Sequence, residues 1–298
     1  MNALAQRLQQ LPRNQRGALW MLGSALSFTF MTSLVKYLGK DFPAVLQTFY
    51  RQVASLLVLL PLIVRSPTPV FRTTRPGLVL FRAAAGFVGM SLSFYSYQKM
   101  PLADANALSF TRTLWIVLLA ALFLREPLGS KRFVATLVGF AGVLLILQPS
   151  AQSELGWPAA SALLSALLLA MTVTGMKAMT RDHSTTTLIA FSSALGILLS
   201  LPAALYVWRW PNAWELLLLS AMGLLGTITQ TCYIKGMTAG DAMLMAPMDY
   251  SRLLFALAAG WLLFGSLPSA MTLLGALIII AATLYITLFE ARRIPTKR

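Results

Sequence analysis

A chain of 298 residues with 57% hydrophobic and only 11% charged side chains, at a mean hydropathy of +0.72, carries more apolar area than a water-soluble domain of this size can hide. Its formal net charge of +15 would suit a nucleic-acid partner, but the basic residues cluster between apolar runs, which excludes that reading in favour of membrane topology. The single cysteine, Cys232, excludes an intramolecular disulfide.

In chain order, residues 1–16 are polar and basic, without the apolar core and small-residue cleavage site of a removable signal, and read as a cytoplasmic tail. Ten apolar runs follow, each close to the length needed to cross roughly 30 Å of hydrocarbon. They lie near 17–38, 44–64, 76–98, 102–124, 131–149, 156–178, 184–207, 212–236, 240–264 and 269–289. Residues 290–298 form a basic tail. The predicted fold is all-α and integral to the membrane, with ten transmembrane helices joined by short connections rich in Pro, Gly, Asp and basic residues, such as Arg65-Ser66-Pro67-Thr68-Pro69. With both termini cytoplasmic, Arg7, Arg13, Arg16, Arg65, Arg72, Arg75, Lys131, Arg132, Arg181, Arg292, Arg293, Lys297 and Arg298 all fall on the cytoplasmic side. Lys36, Lys40, Lys99 and Arg209 fall on the other.

Polar groups deep in an apolar span are costly and face the protein interior or a water-filled cavity, so they mark a candidate substrate pathway. The first span offers Ser24, Ser27 and Phe28, and the second a polar seam of Gln47, Arg51 and Ser55. The third carries Arg82, expected to snorkel to the cytoplasmic face, and the aromatic run Phe94-Tyr95-Ser96-Tyr97. Tyr95 is assigned to the pathway, and Tyr97 to the interfacial belt with Trp157, Trp208 and Trp210. The fourth span places Asp104, Leu108, Arg112 and Trp115 at intervals of 4, 4 and 3, on one helical stripe. Ser165 on the sixth span and Gln230 and Tyr233 on the eighth complete the polar and aromatic candidates.

The ninth span repeats the stripe as Asp241, Met245, Asp249 and Arg252, with Pro247 expected to kink it. Asp104 and Asp241 stand at helix N-termini, where a carboxylate caps free amides and complements the dipole. Asp249 and Arg252 either pair at i and i+3 or leave an arginine, Arg112 or Arg252, for a substrate carboxylate, which a guanidinium binds bidentately.

Sliding the chain by 137 positions lays Gly86 and Gly89 on Gly223 and Gly226, Met100 on Met237, and Ala103-Asp104-Ala105 on Gly240-Asp241-Ala242. A slightly larger shift lays Lys36 on Lys177. The chain is therefore expected to be a duplication, residues 17–149 and 156–289, of five spans each. Five is odd, so the second copy enters the membrane inverted, the arrangement on which alternating access around a central cavity is built. The glycine pairs, with Gly139/Gly142, are read as helix-packing positions.

The duplicated five-helix units, the stretch Ala103-Asp104-Ala105-Asn106-Ala107-Leu108 and the terminator Leu124-Arg125-Glu126-Pro127 resemble the drug/metabolite transporter superfamily, and within it the EamA-type exporters, over nearly the whole chain. The second copy departs from the terminator with Phe264-Gly265-Ser266-Leu267. More narrowly the chain looks like the YddG-type exporters of aromatic and other neutral amino acids. That resemblance implies a basket of ten helices in a bacterial inner membrane, whose partners are lipid and a small solute such as an amino acid, and which is compatible with a monomer. Export of drugs or other amphiphiles is the neighbouring alternative. A membrane-embedded enzyme is less favoured. The only histidine, His183, lies in a loop, and no metal-binding, cofactor-binding or phosphate-cradling motif is present.

Overall fold

A computed structural model describes residues 12–65, 71, 73, 75–123, 130–147, 156–179, 185–239 and 248–293. Where hydrocarbon replaces water, each backbone amide must find its partner inside the protein, which a continuous apolar run achieves by coiling into a helix. The described elements are accordingly all helices: α1 (Arg13–Leu38), α2 (Ala44–Val64), α3 (Pro76–Lys99), α4 (Leu102–Ser109), α5 (Thr111–Phe123), α6 (Ser130–Leu147), α7 (Gly156–Met179), α8 (Thr185–Tyr206), α9 (Ala213–Ala239), α10 (Ser251–Phe264) and α11 (Ala270–Arg293). By length and apolarity α1, α2, α3, α8 and α9 are each sufficient to cross a bilayer. Segments 39–43, 100–101, 207–212 and 265–269 gather at one face of the bundle, called distal here. The proximal face is the one where α1 begins and α11 ends.

The packing has the signature of an inverted duplication. The first helix of the first copy, α1, lies along α9 of the second, and the equivalent pair, α7 on α3, repeats the contact. The pairs α2–α8 and α6–α11 are each their own mate under the same exchange. Prolines inside α2 (Pro61) and α8 (Pro202) are 141 residues apart, and so are Tyr50 and Phe191. Tyr50 packs against Trp208 at a ring separation of 5.7 Å, and Phe191 meets Phe71 edge-on at 5.5 Å.

Glycines set the closest approaches, as their spacing predicts. A Cβ at Gly142 would sit 2.8 Å from the Gly275 carbonyl oxygen, one at Gly223 would overlap Ala54, and one at Gly89 would press on Leu168 and Leu169. The departure at Phe264-Gly265-Ser266 has a local cause. Gly265 adopts φ +62 as a left-handed helix cap, with its amide bonded to the Trp261 carbonyl and that of Ser266 to the Gly260 carbonyl.

The largest buried cluster fills the distal half, drawing Leu38, Phe42, Leu46, Phe94, Met100, Leu102, Leu219 and Met222 into contact. On the proximal side, among the described residues, the buried clusters are small, around Val79 and around Leu114 and Ala135, with Met21, Leu59 and Ala190 buried outside them. Lys36 Nζ donates to the Met100 carbonyl at 2.6 Å and lies over the Phe264 ring, which ties α1 to the α3–α4 turn and α10. At the distal surface Asn212 and Glu215 form a reciprocal capping box at the start of α9. Arg209 bridges Asp41 (2.9 Å) and Glu215 (3.2 Å) across the two copies.

Three expectations are corrected. The fourth span is not one helix from 102 to 124. It breaks at Phe110, where the amides of Phe110 and Thr113 bond three residues back and the hydroxyls of Ser109 and Thr111 take the carbonyls of Asn106 and Leu108. Asp104 stands in the first turn of α4, where it complements the dipole, but it is not the cap: Pro101 holds that position, no side chain caps the helix, and the buried Asp104 Oδ1 has no hydrogen-bond partner. Arg82 does not reach out to the proximal face but donates to Ser192 of α8 at 2.6 Å. Asp241 and Pro247, and the side chain of Lys177, lie outside the described residues.

Candidate functional site

The break in the fourth span and the turn Asp249–Tyr250 preceding α10 occupy corresponding places in the two copies. At the second, the amides of Arg252 and Leu253 bond back only three residues, to Asp249 and Tyr250, and the Ser251 hydroxyl takes the Met248 carbonyl. Paired discontinuities of this kind are where a bundle of inverted repeats can present backbone and side chains to a solute.

Arg252 stands at this junction. Its Nη2 donates to Asp249 Oδ2 at 2.7 Å and its Nε to the Asp249 carbonyl at 3.3 Å. The guanidinium is 4.8 Å from the centre of the Phe28 ring and 5.3 Å from that of Phe110, so two aromatic faces and one carboxylate hold it. Phe110 meets Tyr250 edge-on at 4.9 Å, and Phe28 meets Tyr97 at 6.1 Å. The Tyr97 hydroxyl is within 3.3 Å of Asn106 Oδ1, and Asn106 in turn donates to the Leu102 carbonyl. Helices α1, α3, α4 and α10 thus converge on one buried arginine, 8% exposed.

Arg112, which follows the break, is half-buried and shares no ion pair among the described residues. It acts electrostatically on both Tyr97 and Tyr233, and Arg252 and Asp249 act on the same two tyrosines. The structure therefore brings together six of the sequence candidates or their neighbours: Phe28, Arg112, Tyr233, Asp249 and Arg252, with Tyr97 between them. The group holds two guanidinium groups and one carboxylate, a net charge of +1.

The remaining candidates are placed elsewhere. Ser24 is buried and donates to the Thr229 carbonyl at 3.0 Å, and Ser27 does the same to Leu225, so these hydroxyls staple α1 to α9. Tyr95 is half-buried and packs against the distal core. Trp115 lies edge-on to Phe140 of α6 at 4.9 Å, its indole N–H buried without an acceptor. Ser165 is buried on α7, and Gln230 is exposed on the stripe of α9 that carries Gly223 and Gly226.

Tyr97, assigned to the interfacial belt, is 1% exposed and belongs to the site; residue 97 sits two short of the helix end, but the α3–α4 turn folds over it. Asn106, Phe110 and Tyr250 are further members that the sequence reading does not single out. Their signal is positional: Asn106 and Phe110 share one face of the fourth span, turned about half a revolution away from the Asp104, Leu108 and Arg112 stripe. Trp157 and Trp210, at 62% and 79% exposure, fit the belt.

Comparison with known proteins agrees with this architecture. The sequence profile of the EamA-like transporter family matches twice, over residues 15–148 and 156–288. An S-adenosylmethionine uptake transporter of Rickettsia bellii is 31% identical over 278 residues, covering 93% of this chain and 95% of that one. A riboflavin transporter of Rhizobium johnstonii is also 31% identical, with 93% and 92% covered. A pseudopaline exporter of Pseudomonas aeruginosa is 26% identical, with 89% and 94% covered. A crystal structure that superposes with a TM-score of 0.64, at 20% identity over 94% of this chain and 99% of that chain, shows the same fold. With two profile matches spanning nearly its whole length, the chain belongs to the EamA-like transporter family, within the drug/metabolite transporter superfamily.

Proposed function

We propose that this transporter moves amino acids, aromatic and other neutral ones, or closely related carboxylate metabolites, outward across a bacterial inner membrane by alternating access, with both termini in the cytoplasm. The observation that carries the reading is the unequal state of two arginines in one aromatic-lined centre. Arg252 is engaged by Asp249 and two rings, whereas Arg112 has no acid partner among the described residues. A half-buried guanidinium with free N–H groups is a bidentate receptor for a carboxylate, and Tyr97, Tyr233 and Phe28 give an apolar side chain surfaces to rest on.

In this reading the sealed distal core and the sparse proximal packing describe the state that takes solute from the proximal side. The breaks at Phe110 and Asp249–Tyr250 are where α4–α5 and α10 bend as the seal passes to the other face. Among the relatives one is an uptake transporter and another an exporter, so the outward direction rests on the resemblance to amino-acid exporters. The test is efflux of labelled amino acids from proteoliposomes, with and without a pH step. Arg112→Gln is expected to raise the half-saturating concentration ten- to a hundredfold, the loss of a charge-assisted hydrogen bond. An unchanged value, or efflux of uncharged amphiphiles and not of amino acids, rejects the reading.

A further inference from the structure

Arg51 is a second buried guanidinium, and its surroundings differ from those of Arg252. It is 8% exposed on α2, its Nη1 donates to Gln52 Oε1 at 3.3 Å, and its Nε faces no acceptor. No carboxylate among the described residues pairs with it. The group lies over α9 at Gly226, where a Cβ would come within 3.1 Å of Nε, 3.5 Å of Nη2 and 3.4 Å of the Met31 sulfur. The glycine makes the room that lets the charge reach between α1 and α9. Met31 is one turn along α1 from Phe28, whose ring touches Arg252. Arg51 therefore stands on the order of 10 Å from the central group, with Met31 and Phe28 of α1 between them.

An arginine stays charged at any pH a cell meets. Burial without a counter-ion means that its field is neither cancelled nor screened, unlike that of Arg252, which Asp249 offsets, or that of Arg112, which is open to a solute. Arg82, the other deep arginine, is turned to Ser192 of α8. We propose that Arg51 is a specificity-determining residue: a fixed positive charge behind the α1–α9 wall that disfavours solutes of net positive charge and favours zwitterions and anions. The inference rests on reading that wall as part of the pathway. At about 10 Å and an effective dielectric constant of about 20, the bias amounts to roughly tenfold per unit charge. Of the named relatives, one carries a sulfonium-bearing solute and another a riboflavin, so the sign of the cargo is a property on which members of the family differ.

Charged thiol reagents read the local potential whatever the cargo is. In a Cys232→Ser background, Gln230→Cys and Tyr233→Cys place a reporter one and two turns along α9 from Gly226. The rates with an anionic and a cationic methanethiosulfonate are taken as a ratio and normalised to a free thiol in solution. With Arg51 in place the normalised ratio is expected to favour the anionic reagent by about a hundredfold at both positions, tenfold for each of the two charges by which the reagents differ. Arg51→Gln should lower it about a hundredfold, to the value set by the charge of the central group alone, and Arg51→Lys should restore it, which a purely structural role would not require. Parity with Arg51 present, or an unchanged ratio or no reaction at position 233 in Arg51→Gln, overturns the proposal. The parity arm stands even if Arg51→Gln does not fold. Failure of amino-acid efflux with an intact potential would instead count against the transport reading alone.

Discussion

Arg112 and Arg252 show how little a residue type says without its neighbours. Both lie deep in apolar spans on equivalent stripes, yet one is clamped by a carboxylate at 2.7 Å and two aromatic faces while the other has no ion pair among the described residues. The two therefore respond differently to the same change. Arg252→Gln leaves Asp249 uncompensated at 18% exposure and should lower stability by about 3 kcal/mol, the cost of removing one partner of a buried pair. Arg112→Gln should leave the denaturant midpoint in detergent within about 0.5 kcal/mol of wild type, as for a side chain away from packing and pairing. Equal losses in the two variants would show that Arg112 has a structural partner. Much of this was legible in the sequence. The i,i+3 spacing of Asp249 and Arg252 names the pair, and the depth of Phe28, Arg112 and Tyr233 points inward. Tyr97 was not, because an aromatic two residues from a helix end is as compatible with a belt as with a core until the following turn is known to fold across it.

Among the elements, apolar run length gave the spans and small-residue spacing gave the contacts. The Gly142–Gly275 approach is the sharpest case, since a methyl group at Gly142 meets a backbone oxygen at 2.8 Å that cannot turn aside. Gly142→Ala should cost about 1–3 kcal/mol by overpacking. Gly77→Ala, with nothing within 4 Å, should be neutral or slightly stabilising. Thermal unfolding of both in detergent checks the contrast, and equal shifts would dissolve it. The break at Phe110 could not be foreseen, because no proline or glycine marks it. Ser109 and Thr111 make it by turning their hydroxyls onto carbonyls three residues back, a choice open to any serine or threonine in a helix. In the second copy Pro247 does announce a discontinuity, and the described turn follows it at Asp249–Tyr250.

At the scale of the whole molecule, an exchange of two halves needs contacts that join them and can be released. The Arg209 network is one, an exposed bridge from the 39–43 segment of the first copy to the start of α9 in the second. The Asp41 hydrogen bond raises the Arg209 guanidinium above the ordinary arginine range; desolvation opposes it and the Glu215 and Asp41 charges add to it. A raised arginine contributes its stabilisation below its unfolded value, and this is lost only as pH rises through the higher folded one. The bridge should therefore be indifferent to pH across the neutral and mildly alkaline range but sensitive to salt, as exposed charges are. Amide exchange of residues 39–43 should quicken at high ionic strength or in Arg209→Gln, and an acceleration on going to mildly alkaline pH beyond the intrinsic rate would contradict that assignment.

The central claim, that a carboxylate is received by an unpaired arginine in the middle of a duplicated bundle, is tested most directly by counterflow in proteoliposomes preloaded with unlabelled tryptophan. External labelled tryptophan should accumulate against its gradient, while labelled tryptamine, the same ring without the carboxylate, should not. Accumulation of tryptamine as fast as tryptophan would contradict the account.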